Sequence, residues 1–450
     1  MDYIEEFETA IKLWPHGDQT EDLIKELAER PNDEVFEFAE VLALISRNHR
    51  SPKKLKNENF SFIANSALSG GRHPCSFPDC RIKKIKELTS FATLYADEVY
   101  IQDPFENILL KGPECINELE RHEIISGILN FYSLKPLFEK GIIKYAQNMV
   151  HLCGYHREHL ADPLSNEIER KEGILYDFFH DHLIDNCSIV FDVGKGAGPF
   201  FEISGPSELI EHGKRYFYLY EPIPEFIKVI KKKKLPYKFS KNEIIEQGIL
   251  SLIITPVLRD LSNQEWHSAF NGTSYLCDNR LQMKLASQIN TGSFAANSAA
   301  FEKGMSHYLP SVYGQNVNEI LSLREKEGEA FSVYRDKLMK MIRQAKSWDE
   351  KEVSEVFRDQ VLPEINKLEK VINDWKTKTK ESLKEKAIFG SGAVTVGLYS
   401  GMLPPDIGQI VAALGGGTAV VGALMDYNKT LKEKQEARSN DFYFLWQMKQ

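Results

Sequence analysis

The sequence predicts an α-rich mixed α/β fold in three parts: N-terminal helices (1–58), a central α/β region (59–305) and a C-terminal module of long helices (306–450). Three observations predict this order. Apolar residues recur at helical spacing in the first part, short apolar runs alternate with helical segments in the second, and helical periodicity returns in the third. With 450 residues, of which 42% are hydrophobic and 27% charged, the chain can form more than one folded domain.

The first two parts are predicted from local patterns. Phe7 and Ile11 belong to a first helix that Pro15 ends, and further helices are expected over 21–29 and 35–45. In the central region, β-branched and aromatic runs bounded by turn residues predict strands, and amphipathic runs predict helices. The expected strands are 60–67, 98–102, 188–193, 200–204, 216–220 and 273–277, and the expected helices are 81–94, 116–131 and 175–183.

The third part is predicted to be a helical module with a Gly/Ala-rich hairpin over 387–425. Residues 387–403 and 407–425 contain no charged residue. Pro404, Pro405 and Asp406 form the turn between them, and the two prolines break the helix. Two interpretations stay open for this hairpin. Its runs of 17 and 19 residues are short for a bilayer and poor in large apolar side chains, which favours burial within protein; association with a membrane is the alternative.

Charge and cysteine content limit the class of protein. The net charge of −9 does not indicate broad nucleic-acid binding, and we interpret the basic run 231–234 as a solvated helix end. The N terminus is acidic and unlike a secretory signal, and six cysteines are too few for a disulfide framework. We therefore expect a cytoplasmic protein, with the hairpin as the element that could reach a membrane.

Cysteine and histidine cluster in two short segments that suggest zinc. The first contains His73, Cys75 and Cys80 among glycines and prolines, and the second contains Cys153 and His156. Four ligands drawn from both segments could bind Zn²⁺ tetrahedrally. The four-residue gap between Cys75 and Cys80 is wide for such a site, so buried thiols with surface histidines are the alternative.

A glycine-rich segment follows the apolar run 189–193. Gly194, Gly196 and Gly198 in this context resemble the first motif of Rossmann-like methyltransferases, which implies S-adenosylmethionine as cofactor and Glu221 as the acid that binds its ribose. However, residues 199–206 have strand composition where that family has a helix. A β-hairpin that pairs 189–193 with 200–204 explains the same residues.

Acidic residues flank two predicted strands. Asp97 and Asp103 bracket the strand at 98–102, and Asp278 directly follows the strand at 273–277. The layout around Asp278 resembles the late strand and helix of PIN-like nucleases, in which strand-end carboxylates bind Mg²⁺ for phosphodiester hydrolysis. The early metal-binding Asp of that family has no counterpart, since the run 60–65 ends in Asn65. An Asp after a strand also commonly caps a helix.

The general layout of the chain resembles uncharacterised multidomain bacterial proteins, several of which lie in mobile or phage-defence loci. The segments 94–101 and 321–331 carry this resemblance, which transfers no site residue. We therefore expect a non-enzymatic interaction or effector protein with a protein partner or self-association, the cofactor staying unassigned apart from the zinc candidate. The alternatives are a PIN-like nuclease, which needs Asp97, Asp103 and Asp278 within about 4–8 Å of one another, and a methyltransferase with an open cleft above the glycines.

Overall fold

A computed structural model describes most of the first 280 residues and parts of the remainder. The described residues are 3–14, 20–48, 61–146 without 74 and 110, 162–194, 198–206, 213–219, 225–271, 274–278, 317–333 and 362–379, with short pieces at 154–156, 158, 210, 312–313, 355, 358–359, 388–389 and 395–397. They form a helix-rich mixed α/β fold. The chain divides into two compact units: unit 1 comprises 1–161, 264–279 and 290–450, and unit 2 comprises 162–263 and 280–289.

Helices and strands are numbered here along the chain. The helices are α1 (Tyr3–Leu13), α2 (Thr20–Glu29), α3 (Asn32–Asn48), α4 (Pro78–Tyr95), α5 (Glu106–Leu109), α6 (Glu118–Glu139), α7 (Gly154–His156), α8 (Asp162–Asn186), α9 (Glu225–Ile230), α10 (Lys241–Glu246), α11 (Ser251–Asn271), α12 (Val317–Lys326) and α13 (Leu362–Thr379). The strands are β1 (Ser61–Ala64), β2 (Glu98–Ile101), β3 (Ile143–Tyr145), β4 (Ser188–Gly194), β5 (Gly198–Ser204), β6 (Lys214–Tyr218), β7 (Tyr237–Lys238), β8 (Ser274–Cys277), β9 (Val312–Tyr313), β10 (Ile388–Phe389) and β11 (Thr395–Gly397).

The N-terminal helices belong to the same unit as the parallel sheet. The apolar stripe of α1 is buried, and the ring of Phe7 lies 4.1 Å from that of Phe131 on α6. Trp14 stacks on Phe38 of α3. The helices α1, α2 and α3, predicted as a part of their own, therefore share one apolar core with α6.

The sheet of unit 1 has the strand order β11-β8-β1-β2-β3. β8, β1, β2 and β3 are parallel, and β11 is antiparallel to β8. Every residue of β1 is buried, as expected for a central parallel strand with both faces covered. Helix α4 connects β1 to β2, and α5 and α6 lie between β2 and β3. Because β8, β1, β2 and β3 are parallel, their carboxyl ends lie at the same edge of the sheet.

The sheet of unit 2 is antiparallel, with the order β6-β5-β4-β7. β4 and β5 form the hairpin that the glycine-rich segment suggested: Ile189 pairs with Ile203, and Gly194 pairs with Gly198. The hairpin interpretation is thus confirmed. Alternation along β4 and β5 gives the sheet one inner face of buried apolar side chains and one outer face.

The C-terminal part contributes buried side chains to unit 1. Phe331, in the helical piece 328–333, and Leu368 of α13 join the same apolar core as β1 and α4. Within the predicted helical hairpin 387–425, the only described residues form β10 and β11, so the helical prediction is wrong there. β11 pairs with β8, and its Thr395 and Val396 are β-branched residues that favour strands. The rest of the hairpin lies outside the described residues, and among the residues described no helix is long and apolar enough to cross a membrane.

Candidate functional site

The carboxyl edge of the parallel sheet is the part of unit 1 where the topology favours a ligand. The chain leaves β1 for β2 on one side, whereas the neighbour on the other side, β8, comes from much later in the sequence. In open parallel sheets such a change of direction leaves a crevice outside the carboxyl ends of the two strands, and ligands bind there. Asn65 directly follows β1 and Asp278 directly follows β8. These two residues therefore mark the switch point.

Asn65 and Asp278 contact each other across the switch point. The Asn65 Nδ2 donates a hydrogen bond of 2.7 Å to Asp278 Oδ1. The Asn65 Oδ1 accepts a hydrogen bond of 3.1 Å from the backbone N–H of Leu68, and this contact fixes the orientation of the amide because a backbone N–H can only donate. Asn65 therefore presents its amide nitrogen to Asp278 and orients that carboxylate.

Helix α4 adds a cation and a second carboxylate to this pair. Lys84 and Glu87 are three residues apart and so share one face of the helix. The Lys84 Nζ lies 3.0 Å from Asp278 Oδ2 and 3.3 Å from Glu87 Oε2. We call Asn65, Lys84, Glu87 and Asp278 the switch-point cluster. All three charged side chains are largely buried, with exposed fractions of 13% for Lys84, 7% for Glu87 and 6% for Asp278.

The electrostatics of the cluster favour a further cation. Burial raises the pKa of Glu87; the Lys84 ammonium opposes this rise, and the Asp278 carboxylate adds to it. Lys84 forms an ion pair with Glu87 Oε2, and this oxygen has no hydrogen-bond partner among the described residues. Two buried carboxyl groups face one ammonium here, and an oxygen that has no hydrogen-bond partner is a candidate ligand atom for a cation.

The same helix holds the loop that carries Asn65. The Arg81 Nε donates a hydrogen bond of 2.7 Å to the carbonyl of Gly70, and its guanidinium pairs with Glu123 at 2.8 and 3.1 Å. Gly70 has a φ of +80°, and a Cβ at this position would lie 2.1 Å from the side chain of Asn130. Arg81, Lys84 and Glu87 follow one another at intervals of three residues, so one face of α4 positions both the loop and the charges.

The structure does not bring the three predicted nuclease carboxylates together. Asp97 precedes β2, whereas Asp278 follows the parallel strand β8, so the two residues lie at opposite edges of the sheet. The Asp97 carboxylate lies 3.4 Å from Arg324, which also donates to the carbonyl of Ala96 at the end of α4. Asp97 is thus part of a contact between α4 and α12, away from the switch point.

Asp103 follows β2 and therefore lies at the carboxyl edge of the sheet, but its side chain has another role. Its side chain is fully buried, and its Oδ1 accepts the backbone N–H groups of Phe105 and Glu106 at 2.9 and 3.4 Å. Its Oδ2 accepts the hydroxyl of Ser46. These contacts cap the turn into α5 and tie it to α3. Of the three predicted acids, only Asp278 belongs to the switch-point cluster.

The glycine-rich segment does not have the connection that a methyltransferase needs. Gly194 and Gly198 pair with each other at the end of the β4–β5 hairpin, and the chain returns as a strand where that family has a helix. A hairpin offers no helix N-terminus to a cofactor. The structure therefore corrects the cofactor-binding interpretation of these two glycines, while Gly196 and Glu221 lie outside the described residues.

The zinc candidates are only partly described. His73 and Cys75 are exposed ahead of α4, and Cys80 is exposed in its first turn. Cys153 lies outside the described residues, and of His156 only the backbone in α7 is described. Over the described stretches of the chain, no three side chains of His, Cys, Asp or Glu lie close enough together to hold a metal ion. Zinc binding stays a prediction.

Comparison of the chain with known protein families, with curated proteins and with solved structures found no match. The sequence pointed to Asp278 but not to Lys84 and Glu87, and it gave Asn65 only as the residue that stands in place of an early metal-binding Asp. One signal in the sequence could have indicated Lys84 and Glu87. They are three residues apart, so they share one face of the helix that follows β1, and this helix leaves from the carboxyl edge of that strand.

Proposed function

We propose that unit 1 is a metal-dependent nuclease of the PIN-like type, in which Asp278 and Glu87 bind a divalent cation at the switch point. One observation carries the proposal: two buried carboxylates meet at the carboxyl edge of the parallel sheet, and one of them has an oxygen that accepts no hydrogen bond from any described residue. The strand order β3-β2-β1-β8 supports it, because this topology leaves a crevice between β1 and β8.

The residues present fit such an ion. Mg²⁺ is commonly bound through one or two carboxylates, with waters and substrate phosphates completing its coordination. When bound, the ion would supply an activated water and stabilise charge on the phosphate. Asn65 would hold the Asp278 carboxylate in place by its hydrogen bond. Lys84 would compete with the ion for the two carboxylates and, once displaced, could contact a phosphate.

Metal binding and cleavage can be measured together. Mn²⁺ is titrated into the full-length protein and followed by electron paramagnetic resonance, and labelled single-stranded RNA and DNA are then incubated with Mg²⁺ or Mn²⁺. We expect Asp278→Asn and Glu87→Gln to weaken Mn²⁺ binding about tenfold or more and to abolish cleavage. Asp97→Asn, at the opposite edge, is the matched control and should behave like the wild type. A wild type that binds no more Mn²⁺ than Asp278→Asn and cleaves neither substrate would refute the proposal.

A non-enzymatic interaction or effector role, of the kind expected in phage-defence loci, is the second candidate. Lys84 favours it, because this side chain already neutralises part of the charge of Glu87 and Asp278. The cluster would then be a structural network, and its variants would change the stability of unit 1 equally with and without divalent ions.

A further inference from the structure

Lys84 contacts the two carboxylate oxygens that a divalent ion at the switch point would bind. Its Nζ lies 3.0 Å from Asp278 Oδ2 and 3.3 Å from Glu87 Oε2. An ion on these oxygens would lie within about 5.5 Å of the ammonium in its present position, because metal–oxygen bonds are only about 2–2.5 Å long. Two cations at that distance repel each other strongly in a buried place. The ion and the ammonium therefore exclude each other from this pair of oxygens.

The helix that carries Lys84 offers its displaced ammonium no second acid. Side chains three and four residues away lie on the same face of a helix. At these positions α4 has Cys80, Arg81, Glu87 and Leu88. Glu87 is the acid among them, and the ion would hold it. One turn earlier, Arg81 already pairs with Glu123 of α6 at 2.8 and 3.1 Å. On this face of α4 the displaced ammonium thus meets water, or an anion that a ligand supplies.

Lys84 can reach an anion of a ligand without any movement of its helix. Its side chain is 13% exposed, compared with 7% for Glu87 and 6% for Asp278, so it is the most accessible charged group of the switch-point cluster. A lysine ammonium has three donors on a flexible four-carbon stem, and phosphate oxygens accept charge-assisted hydrogen bonds from it. Mg²⁺ in proteins is commonly bound to substrate phosphates as well as to carboxylates. A phosphate on the ion would therefore lie close to the displaced ammonium.

We propose that Lys84 couples metal binding to phosphate binding at the switch-point cluster. The ammonium closes the site when both ligands are absent, and it moves from the carboxylates to a substrate phosphate when the ion enters. This inference rests on the proposed metal site and concerns its regulation. Each ligand then favours the other, because the phosphate holds the ammonium away and the ion releases it. Such coupling is reciprocal, so the phosphate tightens metal binding by the same factor by which the metal tightens phosphate binding.

Metal titrations of the full-length protein measure this coupling. The Kd of Mn²⁺ is determined by electron paramagnetic resonance with and without phosphorothioate oligo(dT), whose backbone is charged and resists cleavage, and gel electrophoresis verifies that it stays intact. We expect the oligonucleotide to tighten Mn²⁺ binding to the wild type about tenfold or more. Lys84→Met should bind Mn²⁺ more tightly on its own and keep at most about threefold coupling, from direct contact between ion and phosphate. Lys83→Met, at an exposed neighbouring position, is the matched control and should keep the wild-type factor.

A second measurement uses the wild type alone, because Lys84→Met loses stability. Lysines of the full-length protein are acetylated with an activated ester at neutral pH, and the modification of Lys84 and Lys83 is quantified by mass spectrometry. Lys84 should be protected without divalent ions, react several-fold faster in saturating Mg²⁺, and be protected again when phosphorothioate oligo(dT) is added. Lys83 is the internal control, and its reactivity should not change with Mg²⁺.

The outcomes separate this proposal from the metal site on which it rests. Equal coupling in the wild type and in Lys84→Met, or a Lys84 reactivity that saturating Mg²⁺ leaves unchanged, would overturn the role of Lys84 and leave the metal site in place. A wild type that binds Mn²⁺ but not the oligonucleotide would overturn it as well. A wild type that binds no more Mn²⁺ than Asp278→Asn would refute the metal site itself, and this inference with it.

Discussion

Replacing Lys84 with Met would leave the carboxylates of Glu87 and Asp278 buried without their cation. At an effective dielectric constant of about 20, its contacts of 3.3 and 3.0 Å each correspond to about 5 kcal/mol of Coulomb attraction. The desolvation of Lys84 offsets much of this, and Glu87, whose pKa burial already raises, can take up a proton. The expected net loss of stability is therefore about 3–5 kcal/mol, or roughly 6–20 °C in Tm.

Thermal and guanidinium unfolding of full-length protein in EDTA at neutral pH measures this loss. Lys83→Met is the matched control, because Lys83 is an exposed neighbour on the same helix. Lys84→Met/Glu87→Gln should recover most of the stability, since only one buried carboxylate then lacks a cation. Added Mn²⁺ should also stabilise Lys84→Met, and this variant should bind Mn²⁺ more tightly than the wild type because no ammonium competes.

Two results would refute this reasoning. A loss below about 1 kcal/mol, similar to that of Lys83→Met, would mean that Lys84 does not neutralise the buried carboxylates. Equal stability of Lys84→Met with and without Mn²⁺ would mean that a divalent ion cannot take the place of the ammonium.

Three further predictions concern the surroundings of the site. Gly70→Ala should cost about 1–3 kcal/mol more in unfolding experiments than Gly141→Ala, because both have positive φ but only the first Cβ would meet an asparagine side chain, at 2.1 Å. Since burial raises the pKa of Glu87, the folded state keeps this proton to higher pH than the unfolded state, and the contribution of Glu87 to wild-type stability falls as the pH rises above 4.5. The stability of Glu87→Gln relative to the wild type should therefore increase between about pH 4 and about pH 8, and a constant difference would contradict this. Asp103→Ala should cost about 2–4 kcal/mol by denaturant unfolding and Asp97→Ala less than about 1, and equal losses would contradict the roles assigned to them.

Much of the fold followed from local patterns. The buried stripe of α1, the strands β2 and β8 and the β4–β5 hairpin all begin and end close to where periodicity and turn residues placed them. The prediction failed at Ile388–Phe389 and Thr395–Gly397, where an uncharged Gly-rich run was taken for helix. Pairing with β8 and β9, which lie far away in the sequence, decides the structure there, and local propensity is overridden.

The candidate site was harder to predict because its parts are distant in sequence. Asn65 and Asp278 are 213 residues apart, and only the parallel pairing of β1 with β8 brings them together. Acids at both ends of β2 looked equivalent in the sequence, yet the two ends of a strand lie at opposite edges of the sheet, and this excludes Asp97. Asp103 was excluded by its hydrogen bonds to a turn, which the common role of Asp as a cap already suggested.

The measurement that tests the proposed metal site most directly is anomalous X-ray scattering from crystals of the full-length protein grown with Mn²⁺. We expect a peak between β1 and β8 within about 2–2.5 Å of carboxylate oxygens of Asp278 and Glu87. In those crystals the Lys84 ammonium should have moved away from the two carboxylates. Crystals with Mn²⁺ bound elsewhere, or with Lys84 still between Glu87 and Asp278 at saturating Mn²⁺, would contradict the proposed metal site.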